Sequence, residues 1–182
     1  PHNRFLYGTP PRGYGDLAFA QHMLASLKAD GRMGIILPHG VLFRSGEEGK
    51  IRDGLLFGTN AAQGHQPGDL IEAIVGLPTD MFYNTGIATY VWIISNRKPV
   101  ERKGKVQLID ASGMWQKMRK SLGSKRKELS DAHIERITRL FGDFAEAEQD
   151  GIPISRIFDN EAFGYHAITV ERPLRDEAGV RR

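Results

Sequence analysis

The chain has 182 residues, of which 40% are hydrophobic and 26% charged, and its formal net charge is +3. These values are typical of a globular chain with one domain, or one domain and an appendage. The absence of cysteine excludes disulfides, thiolate nucleophiles and cysteine-ligated zinc, and it fits a reducing compartment. No apolar run approaches the roughly 20 residues of a membrane span, so we expect a cytoplasmic protein without membrane contact. The mildly basic charge permits nucleic-acid binding without requiring it.

The amino-terminal segment predicts a loop, a helix and a strand. Residues 1–15 are rich in Pro, Gly and Arg, which indicates a loop that either arrives from an element outside the chain or forms an arm. A helix is predicted from Asp16 to a stop at Gly31, with an apolar face made of Leu17, Ala20, Met23, Leu24 and Leu27. Residues 33–38, MGIILP, predict a strand buried on both faces. A helix followed by a buried strand is half of a βαβ unit, which favours a parallel sheet.

A second helix and a long connection are predicted next. Ser45 and Glu48 have the spacing of a capping box, so this helix should begin near Glu47 and bury Ile51 and Leu55. Residues 57–68 are polar and Gly-rich, and their number exceeds the usual length of such a connection, which predicts a surface excursion.

Two apolar runs, residues 70–77 and 88–95, flank a short loop that contains Phe82 and Tyr83. The two predicted strands must be antiparallel, because a parallel return needs a dozen or more residues with a helix. A parallel sheet with one late antiparallel strand is the outline of an α/β fold, the Rossmann-like methyltransferase fold. Two interpretations of the loop stay open: its aromatic rings hold a flat ligand such as a nucleobase, or they cap the core.

Basic residues are concentrated in two segments of the carboxyl-terminal half. The first, residues 97–105, is predicted to be a linker before a short strand at 106–109. The second lies within MWQKMRKSLGSKRKE and contains Lys117, Arg119, Lys120, Lys125, Arg126 and Lys127. This second segment is either a solvated helix face and turn or a surface that contacts DNA phosphates.

The end of the chain predicts one helix and two extended pieces. The helix should begin after Ser130 and carry a partly exposed apolar stripe made of Ile134, Ile137, Leu140, Phe141 and Phe144. Extended pieces are predicted at residues 152–158 and 167–170, and the end from Glu171 is expected to be frayed. Carboxylates lack the spacing of metal ligands, so we expect no metal site.

Four segments of the chain carry a resemblance to a known family. They are DLAFAQHMLASLKADGRMGIILPHGVLFRSGEEGKIR, EAIVGLPTDMFYNTGIAT, KGKVQLIDAS and SRIFDNEAFGYHAITVERPL. In this order they resemble the modification (M) subunit of type I restriction-modification systems, an N6-adenine DNA methyltransferase family. The resemblance covers residues 16–174, and the patterns LPHGVLFR and GLPxxxFYxTGI are too long to match by chance.

The resemblance implies part of the Rossmann-like sheet of an S-adenosylmethionine-dependent methyltransferase. Its late strands would include an antiparallel last strand, and a helical and extended carboxyl-terminal tail would follow the sheet. Family members bind this cofactor through a Gly-rich turn and act at an Asn/Asp-Pro-Pro-aromatic tetrapeptide, and neither motif is present here. Residues 9–12 keep the two prolines, but Thr9 replaces the acid or amide and Arg12 replaces the aromatic. We therefore expect no catalytic residue in this chain, which would be the carboxyl-terminal half of a catalytic domain, inactive alone.

Carried over residue by residue, the resemblance assigns candidate sites. Asp16, Phe19 and Pro38 would bind the cofactor, although Phe19 also fits an aromatic at the edge of the core. Phe82 matches the aromatic that stacks on the flipped target base in related adenine methyltransferases, and Tyr83 is its rival. The candidate DNA-binding residues are Lys117, Lys120, Lys125, Arg126 and Lys127.

The resemblance also implies partners and a division of the chain. The partners would be DNA and the specificity (S) and restriction (R) subunits of a type I system, with the tail lying beyond the sheet toward the specificity subunit. Residues 1–105 would belong to the methyltransferase domain, and residues 106–182 would form a subunit-contact region. The alternative is a non-catalytic nucleic-acid-binding or assembly module derived from the same fold, and an RNA or protein methyltransferase is a third hypothesis.

Overall fold

The structure is a computed structural model that describes residues 4–61 and 64–164. Its helices are α1 (Asp16–Leu24), α2 (Gly40–Phe43), α3 (Glu47–Phe57) and α4 (Asp131–Asp143). Its strands are β1 (Arg32–Pro38), β2 (Thr59–Ala61), β3 (Gly64–Gln66), β4 (Ile71–Gly76), β5 (Thr89–Ser95), β6 (Lys105–Asp110), β7 (Gln116–Leu122), β8 (Lys125–Glu128), β9 (Ala147–Gln149) and β10 (Ile152–Asp159). Short 3₁₀ turns lie at Val100–Arg102 and Asn160–Phe163.

Six of these strands form one sheet in the order β1-β5-β4-β6-β10-β9. Strand β5 lies between β1 and β4 and is antiparallel to both, whereas β4 and β6 are parallel. Strand β10 is antiparallel to its two neighbours, β6 and β9. The predicted α/β class and the antiparallel pairing of the strands on either side of the aromatic residues are therefore confirmed.

Helices pack on both faces of this sheet, because side chains alternate between the faces along each strand. On one face, Leu17 of α1 and Ile51 of α3 belong to a buried cluster that includes Trp92 of β5. On the other face, Ile137 of α4 packs against a smaller cluster that includes Ile109 of β6. The predicted helix starts at Asp16 and near Glu47, and the predicted burial of Ile51 and Leu55, are confirmed.

Three local predictions for this region are wrong. Helix α1 ends at Leu24 and does not continue to Gly31. Strand β1 is not buried on both faces: Leu37 is buried, but its neighbour Ile36 is 48% exposed. The reason is that α1 packs on one face of β1, whereas among the described residues nothing covers Ile36 on the other face. No side chain caps α3, since Gly46 with a φ of 70° precedes it, and Glu48 instead lies buried with a carboxylate oxygen 3.4 Å from Arg44 Nη1.

Helix α4 begins as predicted. The Ser130 hydroxyl accepts a hydrogen bond from the His133 N–H at 3.3 Å, and His133 Nδ1 accepts one from the Ser130 N–H at 3.2 Å. None of its residues is fully buried, and Ile134 is 49% exposed. The predicted partial exposure of its apolar stripe is therefore confirmed.

The carboxyl-terminal tail does not lie beyond the sheet as expected, because β10 pairs with β6 inside it. Ser155 explains the insertion: its hydroxyl donates to the Ala145 carbonyl at 2.7 Å and accepts from Gln107 Nε2 at 2.9 Å, so both strands contribute to one buried polar contact. The predicted division between residues 105 and 106 stays a prediction, and one sheet continues across that point. The pieces predicted at 167–170 and from Glu171 lie outside the described residues.

The segment predicted as a basic linker, residues 97–105, is instead anchored by buried cations. Lys98 has a side chain only 1% exposed, and its Nζ lies 2.6 Å from Asp69 Oδ1. Asp69 also accepts hydrogen bonds from the Gly104 N–H at 2.9 Å and from Asn160 Nδ2 at 3.0 Å. Burial lowers the pKa of Lys98, and the adjacent Asp69 carboxylate partly opposes that shift. One carboxylate therefore joins three separate parts of the chain.

Arg102 is the second buried cation of this segment, 4% exposed. Its guanidinium lies 4.2 Å from the ring centroid of Phe141, and its Nε is 3.8 Å from Glu72 Oε2, a carboxylate with no exposed surface. Burial lowers the pKa of Arg102, while the Glu72 charge opposes that change. These contacts attach α4 to the sheet, so the charges of this segment have a structural role.

Two glycines of α3 provide a matched test of packing. A Cβ at Gly54 would lie 2.8 Å from Tyr7 Cδ1 and 2.9 Å from Thr59 Cγ2, whereas at Gly49 the nearest atom would be 3.7 Å away. We expect Gly54→Ala to lower the free energy of unfolding by about 1–3 kcal/mol through overpacking. Gly49→Ala should raise it by about 0.5–1 kcal/mol through helix propensity. Urea denaturation followed by circular dichroism measures both, and equal effects of the two substitutions would contradict this packing.

Candidate nucleic-acid interface

The candidate site begins with the connection between β4 and β5, residues 77–88, which we call the aromatic loop. It lies at the sheet edge where β4 and the parallel strand β6 both end, since Gly76 is paired with Asp110. Phe82 is half-buried and forms an isolated bridge with Thr85, whereas Tyr83 is 60% exposed. The structure thus leaves an aromatic surface accessible at the carboxyl edge, where open α/β sheets bind their ligands.

The second basic segment is the hairpin β7–β8, so the predicted helix face is wrong. Leu122 pairs with Lys125 across a two-residue turn in which Gly123 has a φ of 59°. A Gly-Ser pair between strands is a recognised hairpin signal, and LGSK contains it at Gly123 and Ser124. The signal was obscured because the flanking residues are polar and lack the alternation of a half-buried strand.

The hairpin lies directly against the aromatic loop. The Ser124 N–H donates to the Tyr83 carbonyl at 3.0 Å, and the N–H groups of Arg126 and Lys127 both donate to the Asp80 carbonyl, at 3.0 and 3.2 Å. Two groups of residues that were predicted independently, the aromatic pair and the basic cluster, therefore occur side by side.

Side chains extend this contact. Lys127 Nζ lies 3.3 Å from Thr79 Oγ1 and 4.4 Å from the ring centroid of Trp115, which is 41% exposed. An ammonium over an indole ring is a favourable cation–π arrangement. Thr79, Asp80 and Trp115 were not predicted as site residues. Thr79 and Asp80 lie far from the hairpin in the sequence, so no local pattern relates them to it. Trp115 directly precedes the hairpin, but no pattern there indicates that its ring contacts Lys127.

The hairpin is strongly cationic and has no buried residue. Residues 116–128 contain six Lys or Arg side chains and one carboxylate, Glu128, and none of these residues is buried. The five predicted DNA-binding residues all lie on it: Lys117, Lys120, Lys125, Arg126 and Lys127. A cationic hairpin beside exposed aromatic rings has the two components that single-stranded nucleic acids bind, a charged surface for phosphates and ring faces for bases.

The predicted cofactor residues occur at the beginning of α1 and the end of β1. Asp16 is the first residue of α1 and is half-buried, Phe19 is 71% exposed, and Pro38 is the last residue of β1. Phe19 therefore does not belong to the core edge, and its ring is available to a ligand. The flat adenine of S-adenosylmethionine fits such an exposed ring, whereas its charged methionine part needs polar groups that these three residues supply only through Asp16.

An apolar groove of about 930 Å³ extends from the aromatic loop over the face of the sheet that carries α3. Leu77 and Thr79 of the loop line it, together with Ile74, Tyr90, Leu108 and Phe158. Among residues 4–61 and 64–164, no group of three His, Asp or Glu side chains is arranged to hold a metal ion. No helix in this part of the chain is both long and apolar enough to cross a membrane.

Comparison with known proteins relates this geometry to one family. The model of the family described as N-6 DNA Methylase matches residues 1–163. The type I restriction enzyme MjaVIII methylase subunit of Methanocaldococcus jannaschii is 34% identical over 144 residues, which are 79% of this chain and 22% of that protein. The HindI methylase subunit of Haemophilus influenzae is 37% identical over 109 residues, 59% of this chain and 22% of that protein.

Solved structures agree with this relationship. The type I restriction-modification methyltransferase subunit of Streptococcus thermophilus superposes with a TM-score of 0.70 at 33% identity, over 87% of this chain and 30% of that chain. The EcoKI M protein superposes with a TM-score of 0.53 at 20% identity, over 80% of this chain and 34% of that chain, which supports the fold alone. The chain spans only about a fifth of the two relatives compared by sequence. On the extent of the family match and the shared fold, the chain belongs to the N-6 DNA methylase family.

Proposed function

We propose that this chain, acting within a longer methylase subunit, takes part in transfer of a methyl group from S-adenosylmethionine to the N6 amino group of adenine in DNA. The family match over residues 1–163 is the observation that carries the proposal. The chain contains neither the Gly-rich turn nor the Asn/Asp-Pro-Pro-aromatic tetrapeptide of the family, and we propose that it is inactive alone. A non-catalytic binding module is the alternative, and it is not favoured because the relatives are methylase subunits.

Within that function, three residues of this chain would bind the cofactor. S-adenosylmethionine supplies the methyl group when it is bound. The Phe19 ring, 71% exposed on the first turn of α1, would contact its adenine, and Asp16 and Pro38 would lie beside it. The Arg44 guanidinium lies 3.9 Å from the Tyr14 ring centroid, and this contact supports the grouping, because Tyr14 lies just before α1 and Arg44 follows soon after β1.

The aromatic loop would hold the extruded adenine. Extruding a base costs a few kcal/mol, and stacking on one aromatic ring returns roughly 1–3 kcal/mol. We propose that Phe82 stacks on the base, and Tyr83 is the competing candidate because its ring is the more exposed of the two. The cationic hairpin beside the loop would contact the phosphates of the same DNA, which gives affinity without sequence preference.

The proposed partners are the specificity and restriction subunits of a type I system. Support comes from α4, which has no fully buried residue and exposes nearly half of Ile134. We retain the division at residues 105 and 106 as a functional one: residues 1–105 would serve the reaction, and residues 106–182 would include the contacts with other subunits. The hairpin within the second part would serve DNA binding as well.

The experiment that tests this function uses an intact methylase subunit that carries this chain, purified with its specificity subunit. Incubation with radiolabelled S-adenosylmethionine and unmethylated duplex DNA should yield N6-methyladenine, which mass spectrometry of the digested DNA identifies. The isolated 182-residue chain should transfer no methyl group. Methylation of cytosine, or transfer by the isolated chain, would contradict the proposal.

Substitution of the aromatic loop tests base capture in the same enzyme. With 2-aminopurine at the target position, Phe82→Ala should lower the equilibrium constant for base extrusion by about 5- to 150-fold, because the stacking contribution is lost. Phe82→Trp retains a ring and should keep most of the fluorescence increase. If Tyr83→Ala alone abolishes the signal, Tyr83 is the stacking residue, and unchanged signals in both alanine variants would exclude this role for the loop.

A further inference from the structure

We propose that the β7–β8 hairpin is a positioning element for the aromatic loop, so that phosphate binding by the hairpin and base capture by the loop are one coupled event. This inference rests on the proposed function, since it assigns the loop a base to capture. It adds a separate claim, which is that the hairpin backbone maintains the loop conformation that captures the base.

The hairpin is attached through the loop and not through a core of its own. None of residues 116–128 is buried, and pairing between β7 and β8 is interrupted between Lys117 and Leu122. The hairpin instead makes three hydrogen bonds to the loop. Their donors are the backbone N–H groups of Ser124, Arg126 and Lys127, and their acceptors are loop carbonyls. Beyond its base, where Met114 and Leu129 pack in the core, the hairpin therefore depends on the loop for its position, and the loop receives three hydrogen bonds in return.

The loop needs such support because its backbone is unusual. Asp80 has a φ of 60°, a left-handed conformation that non-glycine residues rarely adopt. The Asp80 carbonyl accepts both Arg126 and Lys127 N–H groups, which fixes the residue from outside the loop. Gly86 completes the fit, because a Cβ there would lie 2.8 Å from Asp80 Oδ1. Residues held in this conformation by surrounding contacts are frequent at binding sites.

Gly123 allows the hairpin turn to approach the loop closely. Its φ of 59° favours glycine, and a Cβ would lie 2.9 Å from the Tyr83 carbonyl oxygen and 3.8 Å from the Tyr83 ring. Any side chain at this position must therefore push the turn away from the loop. Gly123 thus contacts Tyr83, the residue next to Phe82. Displacement of the turn would therefore change the place where a base would stack.

The two elements together present charge and rings over a short distance. Lys125, Arg126 and Lys127 follow directly after the turn that touches Tyr83, and two of these cations, Arg126 and Lys127, are bonded to the loop through Asp80. A phosphate held by these cations would belong to a nucleotide close to the extruded base. Binding of DNA to the hairpin would thereby stabilise the loop in its capturing conformation.

The test compares Gly123→Ala with Gly113→Ala in the intact methylase subunit and its specificity partner. Gly113 is the matched control, because a Cβ there meets no atom within 4 Å. Gly123→Ala should speed amide hydrogen exchange at Ser124, Arg126 and Lys127, whose N–H groups donate to the loop, by about fivefold, the change expected from one lost hydrogen bond. It should lower 2-aminopurine fluorescence at saturating DNA by a similar factor and leave the salt dependence of DNA binding unchanged. Gly113→Ala should leave all three measurements at the wild-type values.

Each outcome of this test bears on a distinct claim. Wild-type exchange and fluorescence in Gly123→Ala would overturn the positioning role. If exchange rises but fluorescence does not, the hairpin supports the loop without affecting base capture, and the proposal is also wrong. If Gly123→Ala unfolds, Lys127→Met decides instead: it removes the ammonium that lies 3.3 Å from Thr79 Oγ1 and leaves the hydroxyl beside Asp80 in place, and it should change both signals in the same direction by about twofold, whereas wild-type signals would overturn the proposal. Failure of the proposed function is seen separately, as wild-type fluorescence in both Phe82→Ala and Tyr83→Ala.

Discussion

Reversal of three hairpin charges is expected to lower the affinity of the intact methylase for duplex DNA by about 100- to 1,000-fold near 0.1 M salt. The triple variant carries Lys125→Glu, Arg126→Glu and Lys127→Glu. Each phosphate contact adds about 0.9 to the slope of log affinity against log salt concentration, so three lost contacts should reduce that slope by roughly 2.7. Fluorescence anisotropy with labelled duplex, measured at four or more salt concentrations, gives both values.

The control for this experiment carries the same change of net charge on the opposite edge of the sheet. Lys28, Arg97 and Lys103 are exposed cations, and the Asn96 N–H donates to the Gly31 carbonyl at 3.0 Å, which places Lys28 and Arg97 where β1 begins. Their reversal should alter affinity only through the long-range field, by a few-fold. An equal loss of slope in the two triple variants would show that net charge, and not the hairpin, determines DNA binding.

The aromatic loop was predictable because the information is local. Two apolar runs separated by ten residues leave an antiparallel pair as the arrangement that the chain can reach, and β4 and β5 pair in this way. The start of α1 at Asp16 and the cap at Ser130 are local features of the same kind. In each case the residues that determine the structure are neighbours in the chain.

Other parts of the fold depend on contacts between distant residues, and these were not predicted. Nothing near Lys98 in the sequence indicates that its ammonium is buried, because its partner Asp69 lies 29 residues away. One of the two interpretations of the hairpin segment, a helix face, is wrong for a related reason: the position of the hairpin comes from hydrogen bonds to Asp80 and Tyr83, not from an apolar face. The candidate site was therefore predicted as two separate groups, and only the structure relates them.

The ion pair between the buried Lys98 and Asp69, whose side chain is 32% exposed, supports a second large effect, on stability. Asp69→Ala should lower the free energy of unfolding by about 3–5 kcal/mol, because it leaves the Lys98 ammonium buried without a carboxylate. The Gly104 and Asn160 donors also lose their acceptor. Urea denaturation gives the value, and the double variant Asp69→Ala with Lys98→Met should recover part of the loss, since it removes the buried charge as well.

An exposed pair on the same sheet is the control for this prediction. Lys105 and Asp159 approach to 2.8 Å, but their side chains are 43% and 68% exposed, so Asp159→Ala should cost at most about 1 kcal/mol. If Asp69→Ala lowers the free energy of unfolding by no more than Asp159→Ala does, the Lys98 ammonium must reach water once the carboxylate is gone.

The pH dependence distinguishes a buried charge from a packing defect. Burial already places the folded-state pKa of Lys98 below its unfolded value of 10.5, so the folded chain binds fewer protons than the unfolded chain between those two values. Stability contributed by this group therefore rises with pH across that window. Removal of Asp69 lowers the folded-state pKa of Lys98 further and widens the window. The deficit of Asp69→Ala should thus be largest at neutral pH and shrink as pH approaches 10.5, whereas a deficit due to lost packing would stay constant.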